Sequence, residues 1–343
     1  MDKICLKGMS YDELQTWCLK SGQSGYRGKQ LFEWMYRQGI LSFENMSNVN
    51  KSFREYLGNN CIIQILEVKK ISNSKADTST KILFSTIDGQ FIETISMIDK
   101  DRHTVCISSQ AGCALECDFC ETGRIGLKRN LSTGEIVEQL IFVRESKKQP
   151  ITNVVFMGMG EPLYNYDNVI SAADIFHSPR GFNLSATRIT ISTVGILPKI
   201  KQFILEKQRY KLAISLNAAD DKIRTKLMPV NKKWSIADLI EAGKEYSNLK
   251  KRQVMFEYVL LKGINDSDDD ARMLAQLLKG IPCKLNIIPY NETGGSYQRP
   301  NEKNIRRFSE ILYNLRDEYR VLVRWSKGQD INAGCGQLAG MQK

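Results

Sequence analysis

The spacing of apolar residues changes twice along the chain and divides it into three stretches. Up to about residue 60, apolar residues recur every three or four positions, which predicts helices over 11–19 and 26–38. The second helix also carries aromatic side chains among Arg27, Lys29 and Arg37, a mixture suited to stacking on bases and binding phosphates. A helix that packs its apolar face inward fits the same pattern. We expect residues 1–60 to form a helical accessory domain that binds RNA.

Residues 61–99 contain β-branched runs separated by clusters of Ser, Asn, Asp and Gly, a pattern typical of strands joined by turns. Strands are predicted at 62–68, 80–86 and 90–97. Asp88-Gly89 stands between the last two strands, and this dipeptide favours a hairpin turn. This stretch is therefore expected to be a β extension that links the accessory domain to the rest of the chain.

From about residue 100, short apolar strands alternate with amphipathic helices. Strands are predicted at 103–108, 153–157, 188–192, 211–216, 254–260, 284–288 and 320–325, and helices at about 166–177, 198–206, 235–247, 268–279 and 301–318. A further helix begins at Ser132, where Glu135 completes a capping box. Repeated β-α units imply a parallel sheet, and six or seven units are too few for a closed eight-fold barrel. We expect residues 100–343 to form one α/β domain.

Composition and charge narrow the class of protein. A chain of 343 residues with 42% hydrophobic content can bury the core of one large and one small domain. Its 49 Lys and Arg against 38 Asp and Glu give a net charge of +11, which favours a polyanionic partner such as RNA. The sequence shows no membrane-spanning run and no signal peptide, so we expect a cytoplasmic protein. Nine cysteines, an odd number, do not fit a secreted disulfide framework.

Three of these cysteines, Cys113, Cys117 and Cys120, follow one another at C-x3-C-x2-C spacing. Three thiolates on one loop can bind three metals of a cluster and leave a fourth position open, and thiolates suit iron–sulfur clusters or zinc. A closed zinc site requires four protein ligands, and Cys106 is the candidate for the fourth. The loop therefore predicts a metal centre, with an open iron–sulfur cluster as the first interpretation and zinc as the second.

Polar residues follow several of the predicted parallel strands. They are Gly158-Met-Gly160-Glu161-Pro162 after the second strand, Ser192 at the end of the third, Ser215-Leu216-Asn217 at the end of the fourth, and Asn291 after the sixth. Because ligands of such barrels bind at the carboxyl ends of the strands, these residues are expected to meet on one rim. Cys335 lies between glycines near the C-terminus, where a thiol is more reachable and reactive than in a core.

The C-x3-C-x2-C loop is the signature of the radical S-adenosylmethionine (SAM) enzymes, and the surrounding motifs make the resemblance more specific. Those motifs are Cys106-Ile-Ser-Ser-Gln-Ala-Gly-Cys113-Ala-Leu-Glu-Cys117, Gly158-Met-Gly-Glu-Pro162, Ile191-Ser-Thr193 and Cys335-Gly-Gln-Leu-Ala-Gly340. In this order they resemble the RlmN/Cfr family of radical SAM RNA adenine methyltransferases. The likeness extends over nearly the whole chain, including Tyr26–Tyr36 and Phe91–Thr94. It implies an open, partial (β/α)6 barrel.

The resemblance also implies a role for each candidate residue. Cys113, Cys117 and Cys120 would hold a 4Fe-4S cluster, and SAM would contact Gly160, Glu161, Ser192, Ser215, Leu216, Asn217 and Asn291. Cys335 would carry a methyl group as S-methylcysteine and pass its carbon to the adenine. Glu93 would accept the ring proton, and Cys106 would release the product through a transient disulfide with Cys335. Two SAM molecules would be consumed in each methylation.

The family resemblance further implies the substrate, an adenosine in the peptidyl-transferase centre of 23S rRNA and one next to the anticodon of tRNA. Pro162 and Ala339 favour RlmN-type methylation at carbon 2, whereas residues 123–130 are somewhat like those of Cfr, which methylates carbon 8. Asn217 stands where the family commonly has histidine, and Glu121 where it has a small residue. We expect a monomer that does not bind membranes and that depends on a flavodoxin- or ferredoxin-type electron donor and a thiol reductant.

Two alternatives from other functional classes stay open at this point. A basic RNA-binding protein could hold a structural or redox-sensing cluster, although a fully protein-ligated cluster needs a fourth thiolate. An activase acting on a protein would keep the radical chemistry but change the substrate. The Gly-rich loop around Cys335 argues against the activase, because such an enzyme does not need a reactive C-terminal thiol.

Overall fold

The structure is a computed structural model that describes residues 3–147, 149–250 and 252–340. Three α-helices form its N-terminal part. They are α1 (Tyr11–Lys20), α2 (Tyr26–Phe32) and α3 (Lys51–Asn60). Ser10 begins α1 with a capping box to Glu13, which satisfies backbone N–H groups that would otherwise have no partner. Strands β1 (Ile4–Cys5) and β2 (Cys61–Ile62) pair in parallel and bring the two ends of this helical part together.

The helix predicted over 26–38 is wrong in its second half. The α-helix ends at Phe32, and Glu33–Arg37 form a π-helical turn. In this turn the buried Tyr36 hydroxyl accepts a hydrogen bond from the Gly8 N–H at 2.8 Å and donates one to the Met9 carbonyl at 3.0 Å. These contacts with a segment distant in sequence favour the wider turn, and apolar spacing does not encode them.

Three antiparallel strands follow, β3 (Leu66–Asn73), β4 (Ser79–Thr86) and β5 (Phe91–Asp99). The predicted turn at Asp88-Gly89 is confirmed, and Gly89 adopts a positive φ of 79° there. The strand predicted at 62–68 is wrong in position. Residue 62 pairs with the N-terminal strand instead, and β3 starts at Leu66 and continues past a bulge between Val68 and Lys70.

The remaining strands and helices alternate along the chain. The strands are β6 (Arg102–Cys106), β7 (Gln110–Ala111), β8 (Arg129–Asn130), β9 (Asn153–Phe156), β10 (Ile189–Thr193), β11 (Lys211–Ser215), β12 (Val254–Leu260), β13 (Cys283–Pro289) and β14 (Arg320–Val323). The helices are α4 (Glu121–Ile125), α5 (Thr133–Ser146), α6 (Tyr166–His177), α7 (Leu197–Leu205), α8 (Asp221–Leu227), α9 (Ile236–Lys250), α10 (Asp268–Leu277) and α11 (Glu302–Leu315). The predicted elements of this part agree with the structure to within three residues, whereas the short helices α4 and α8 were not predicted.

Ten strands form one sheet in the order β14-β13-β12-β11-β10-β9-β6-β5-β4-β3. The seven strands from β6 to β14 in this sheet are parallel, and β5, β4 and β3 continue it antiparallel. Six β-α units start at β6, β9, β10, β11, β12 and β13. The predicted partial (β/α)6 architecture is therefore confirmed, with β14 added as a seventh parallel strand.

Residues 327–332, which we call the C-terminal strap, connect the two edges of this sheet. The strap follows the edge strand β14, yet its Gly328 N–H donates to the Asp77 carboxylate at 2.7 Å beside β4. Asp330 accepts hydrogen bonds from the Ser74 hydroxyl at 2.7 Å and the Lys75 N–H at 2.8 Å. These partners lie in the loop between β3 and β4, at the opposite edge of the sheet from β14. The strap can reach them because the sheet curls into an incomplete barrel, and it spans the open side of that barrel. Within the described residues, no helix is both long and apolar enough to cross a bilayer.

Candidate active site

The loop after β6 carries the three cysteines of the predicted metal centre. Cys117 and Cys120 are linked through the backbone, where the Cys120 N–H donates to the Cys117 carbonyl at 3.0 Å, and Cys120 is the residue before α4. Burial raises the pKa of all three thiols, that of Cys113 to about 12. The charge of a nearby thiolate raises it further, that of Cys120 for Cys113 and Cys117, and that of Cys335 for Cys120. Such thiols stay protonated unless a metal takes the place of their protons, which is the chemistry that a thiolate-bound metal supplies.

The arrangement of these thiols is compatible with a cluster. Among the residues that the structure describes, no three His, Cys, Asp or Glu side chains lie close enough to share one metal ion. A 4Fe-4S cluster does not need such an approach, because each cysteine binds a different iron. Cys106 is next to Cys335 and Arg324 instead, whose charges act on it. Zinc with Cys106 as the fourth ligand stays the second interpretation of this loop.

A cavity of about 160 Å³ lies at the carboxyl ends of the parallel strands, and we call it the inner cavity. Its lining joins the cysteine loop with residues from five strand ends, as the sequence predicted. Among its residues are Cys117, Cys120, Gly158, Gly160, Glu161, Ser192, Ser215, Asn217, Glu257 and Cys335. Five of the seven residues predicted to contact SAM therefore meet around one cavity beside the cysteine loop.

The glycines after β9 allow the backbone to approach the loop after β6. A Cβ atom on Gly158 would lie 2.6 Å from the Ile107 carbonyl oxygen, and Gly160 has a φ of 94°, which side chains disfavour. Glu161 is thereby placed in the cavity wall, where its two carboxylate oxygens accept from the Leu163 N–H at 3.0 Å and the Val194 N–H at 2.9 Å. Burial raises the pKa of Glu161 to about 7.

The buried Arg224 holds the carboxyl ends of β10 and β11 in place. Its guanidinium donates to the Val194 carbonyl at 2.6 Å, the Ser215 carbonyl at 2.9 Å and the Leu216 carbonyl at 2.9 Å. Leu216 is fully buried and does not line the inner cavity. Its neighbour Asn217 adopts a φ of 58°, and the Asn217 carbonyl oxygen of the side chain accepts from the Val259 N–H at 2.8 Å. This region is therefore fixed before any ligand binds.

The loop around Cys335 forms the wall of the inner cavity on its outer side. The Asn291 side-chain amide donates to the Cys335 carbonyl at 3.1 Å, so Asn291 contacts this loop and is not among the cavity-lining residues. The Glu121 N–H donates to the Gly336 carbonyl at 2.8 Å, which links the loop to the end of the cysteine loop. Cys335 thus lies between the candidate cluster site and Cys106.

Cys106 and Cys335 are close enough for their charges to interact, and both are free thiols. Burial and the neighbouring Cys335 raise the pKa of Cys106 to about 12. The positive charge of Arg324 opposes this effect, and Arg324 itself is anchored by a contact of its guanidinium with the Met157 sulfur at 3.5 Å. All nine cysteines are free in this structure, so the predicted disulfide stays a hypothesis about a step of the reaction.

A second cavity, of about 420 Å³, lies beyond the Cys335 loop, and we call it the outer cavity. Glu93 on β5 lines it, together with Lys81 of β4, Glu292 after β13, residues of the C-terminal strap, and Gln337 and Ala339. Glu93 is buried, and its carboxylate forms an ion pair with the Lys81 ammonium at 3.1 Å. The other Glu93 oxygen accepts from the Ala339 N–H at 2.8 Å and the Gly340 N–H at 3.1 Å.

Comparisons with known proteins agree with this geometry. The family model of the Radical SAM superfamily matches residues 107–275, and that of the Ribosomal RNA large subunit methyltransferase N-terminal domain matches residues 4–63. A dual-specificity RNA methyltransferase RlmN from Desulfotalea psychrophila is 44% identical over 98% of this chain and 95% of its own length. The RlmN of Geotalea uraniireducens is 40% identical over 99% of this chain and 98% of its own length. The chain belongs to the RlmN family of radical SAM RNA methyltransferases.

A solved structure supports the same membership. The crystal structure of a radical SAM methyltransferase from Sphaerobacter thermophilus matches with a TM-score of 0.94 at 40% identity, over 98% of this chain and all of that chain. The predicted family, enzyme class and fold are therefore confirmed. Radical SAM enzymes use a 4Fe-4S cluster and SAM, and the inner cavity lies beside the loop that carries the three cysteines, with Cys117 and Cys120 in its lining.

Several residues of the site were not found from the sequence. Lys81 and Glu257 lie on strands, where a lone charged residue more often faces solvent. Glu257 is buried in the inner cavity, and one of its carboxylate oxygens has no hydrogen-bond partner among the described residues. The alternation along β12 could have signalled it, because Met255, Glu257 and Val259 share one face and Val259 also lines the cavity.

Proposed function

We propose that the protein methylates carbon 2 of an adenosine in 23S rRNA, and of one in tRNA next to the anticodon, through a methyl group carried on Cys335. The observation that carries this proposal is the position of the Cys335 loop between the two cavities. Cys335 lines the inner cavity with Cys117 and Cys120, and residues 337 and 339 of the same loop line the outer cavity with Glu93. The thiol therefore receives its methyl group on the inner-cavity side of the loop and passes the carbon to the RNA on the outer-cavity side.

We assign the 4Fe-4S cluster to Cys113, Cys117 and Cys120, and SAM to the inner cavity with contacts to Gly160, Glu161, Ser192, Ser215 and Asn217. When bound, these cofactors supply a methyl group and a radical that removes one hydrogen atom from it. Leu216 contributes to this site through the backbone that Arg224 fixes. Asn291, which the family resemblance assigns to SAM, positions the Cys335 loop through its bond to the Cys335 carbonyl.

The chain's own residues carry out the remaining steps. The Cys335 thiolate accepts the methyl group, and after loss of a hydrogen atom the carbon bonds to the adenine. Glu93 accepts the ring proton, because its carboxylate lines the outer cavity and is held there by the ion pair with the Lys81 ammonium. The Cys106 thiolate attacks the Cys335 sulfur, and the sulfur–carbon bond breaks with its electron pair on the carbon, which takes up a proton and becomes the methyl group. The two cysteines form a disulfide, and the one electron left over from the radical addition would return to the cluster. A thiol reductant returns the two cysteines to the free state in which the structure holds them.

The remaining features of the proposal concern partners and domains. We propose that residues 1–60 bind the RNA, that residues 61–99 form the β extension, and that residues 100–343 form the catalytic barrel. A net charge of +11 favours RNA binding that weakens as salt increases. We also propose a monomer in the cytoplasm that receives electrons from a flavodoxin- or ferredoxin-type donor. Pro162 and Ala339 support carbon 2 over carbon 8, as in RlmN.

The decisive experiment traps the step that Cys106 performs. Cys106→Ala keeps the methyl acceptor and removes the release step, so RNA should stay bound to Cys335 through one carbon. The variant is purified from cells and treated with nuclease, and its intact and peptide masses are measured. Cys18→Ala, which removes a buried cysteine of the N-terminal helices, is the matched control and should carry no adduct.

The same samples test the site of methylation. RNA methylated by the unaltered protein is digested, and the methyladenosine isomer is identified by mass spectrometry against both standards. We expect the carbon-2 isomer, and the carbon-8 isomer would assign the Cfr-type reaction instead. A Cys106→Ala protein that holds its cluster, turns over normally and carries no adduct would refute the roles given to both cysteines. A protein that keeps its cluster but produces no 5′-deoxyadenosine from SAM would favour the RNA-binding alternative.

A further inference from the structure

The opposite end of the barrel from the active site carries an unexplained set of positive charges. Five of the seven parallel strands have a cation at or next to their first residue, and we call this set the amino-terminal mouth. Its members are Arg102, Arg188, Lys211, Lys284 and Arg320. The two other strands, β9 and β12, have the amides Asn153 and Gln253 at the same place. Every parallel strand therefore starts with a side chain that can donate hydrogen bonds.

The alternation of side chains along a strand places these residues on the interior face. Lys211 stands four residues before Ser215, Arg188 four before Ser192 and Lys284 four before Ile288, and these three later residues line the inner cavity. Residues an even number apart on a strand share a face, and four residues extend about 13 Å. Arg102 and Arg320 stand in the same relation to Cys106 and Arg324. The mouth is thus the far end of the same interior, about 13 Å below the cofactor pocket.

The cations of the mouth lie close to one another, and none of the five forms an ion pair with a carboxylate among the described residues. Lys284 is the direct neighbour of Arg320 on the adjacent strand, and Met255 of β12 pairs with Lys284 on its other side. Lys211 and Lys284 are half-buried. Within the described residues, no carboxylate lies within 4.0 Å of any of the five cations.

The charges of neighbouring cations add to burial in lowering the pKa of two of these groups. The pKa of Lys211 is lowered by burial and then by the charges of Lys284, Arg188, Arg102 and the nearby Arg252. The pKa of Arg102 is lowered by burial, Arg324 and Arg188, while Asp99 acts in the opposite direction and is itself paired with Lys327 at 3.2 Å. A bound anion would remove this repulsion and accept hydrogen bonds from the surrounding donors.

We propose that the amino-terminal mouth is a binding site for a phosphate group, carried by an RNA backbone or by a free phosphorylated anion. Several charged donors around one opening suit the multiple oxygens of phosphate better than the two of a carboxylate. Half-burial of the two lysines makes their interaction with an anion less screened by salt than that of exposed lysines. The site lies opposite the cysteine loop and plays no part in the reaction proposed above.

The test measures binding of inorganic tripolyphosphate to the full-length, cluster-loaded protein by calorimetry at low ionic strength. The mouth variant combines Lys211→Met and Lys284→Met, and the control combines Lys201→Met and Lys303→Met, which remove exposed lysines from α7 and α11. We expect the mouth variant to bind at least about ten-fold more weakly and the control to stay within about two-fold of the unaltered protein. Equal binding by both variants, or no binding by the unaltered protein, would overturn the proposal.

Thermal unfolding of the same proteins gives an independent readout that also reports whether the variants fold. Without an anion at low salt, the mouth variant should melt at a higher temperature than the unaltered protein, because two repelling charges are gone. Tripolyphosphate should raise the melting temperature of the unaltered protein and leave that of the mouth variant nearly unchanged. An equal rise in both proteins would contradict a specific site.

Competition identifies which molecule carries the phosphate. A short single-stranded RNA that displaces tripolyphosphate indicates a backbone phosphate, whereas displacement by ATP but not by the RNA indicates a free anion. Either result supports the site. Displacement by sodium acetate and sodium chloride to the same degree at matched ionic strength would show only a general positive field and would overturn it.

Discussion

The inner and outer cavities share one wall, the loop that carries Cys335, yet they are built in different ways. The inner cavity is formed by adjacent strand ends whose positions are fixed by the hydrogen bonds of the parallel sheet and by Arg224. The outer cavity is formed by antiparallel strands and by the last described residues of the chain, which contact one another across more than 240 positions of sequence.

This difference makes the inner cavity the more rigid of the two and the outer cavity the easier one for a substrate to enter. A cofactor that must meet three thiols in one geometry benefits from a wall that does not move. An RNA nucleotide must enter and leave the site, and it has to be unstacked to reach a barrel interior. The wall on its side is held by single hydrogen bonds such as that from the Ala339 N–H to Glu93 at 2.8 Å. Changes in the inner cavity should therefore affect cofactor and stability, and changes in the outer cavity should affect turnover.

The largest effects are expected from replacing Cys117, in the cysteine loop beside the inner cavity, and Cys335, in the wall that the two cavities share. Cys117→Ala should lose the brown colour, most of the iron and all methylation, because the cluster loses one of three ligands. Cys335→Ala should also lose all methylation, yet keep its iron and its affinity for SAM, because the thiol serves only as the carbon carrier. Iron content and SAM binding are measured on both. A Cys335→Ala protein without iron would show that the loop is part of the cluster site itself.

A smaller effect is expected from Arg224, which supports the wall of the inner cavity from behind and touches no reacting group. Arg224→Met leaves three buried carbonyl groups without their donor, and each such loss costs about 1 kcal/mol or more. We expect the free energy of unfolding to fall by about 3 kcal/mol, measured by denaturant titration of the apoprotein. Arg272→Met, which removes an exposed arginine paired with Asp269, should change it by about 0.5 kcal/mol or less. Equal effects of the two substitutions would contradict a clamp at residue 224.

The smallest effect is expected from Lys81 in the outer cavity. Lys81→Met removes the ion pair that holds the Glu93 carboxylate in position in the outer cavity. Methylation should slow by roughly ten-fold, the scale of about 1.4 kcal/mol in a barrier, while iron content and SAM affinity stay the same. Lys69→Met, which breaks an exposed pair with Glu67, should leave the rate within about two-fold. A loss of SAM affinity in Lys81→Met would mean that the two cavities are not separate in function.

The parallel part of the fold could be predicted from the sequence because its elements are local and periodic. The capping box at Ser132 begins α5, and each strand of this part was found close to its observed position. The errors lie where a distant segment decides the local structure. Tyr36 adopts its π-helical turn through contacts with Gly8 and Met9, and residue 62 leaves the predicted strand to pair with residue 5.

The residues of the candidate site fall into the same two groups, those that local sequence predicts and those that depend on distant segments. Residues that belong to short motifs, such as Cys117 and Glu161, were predicted because their spacing carries the chemistry. Lys81, Glu257 and Arg324 act through neighbours on other strands, so the sequence around each of them looks like an ordinary strand with one charge. The pairing of Leu83 with Glu93, which puts β4 beside β5, is what brings Lys81 to the Glu93 carboxylate.

The C-terminal strap sets the order in which the protein can become active as it is made. Its partners near residues 74–77 emerge from the ribosome long before Gly328 and Asp330, and the strap can bind them only after the intervening strands have assembled. Closing a loop of about 250 residues is slow for a free chain, but the finished sheet brings the two ends together beforehand. Cys335, which we propose as the methyl acceptor, therefore reaches its place last, and an unfinished chain has the cysteine loop but lacks this thiol.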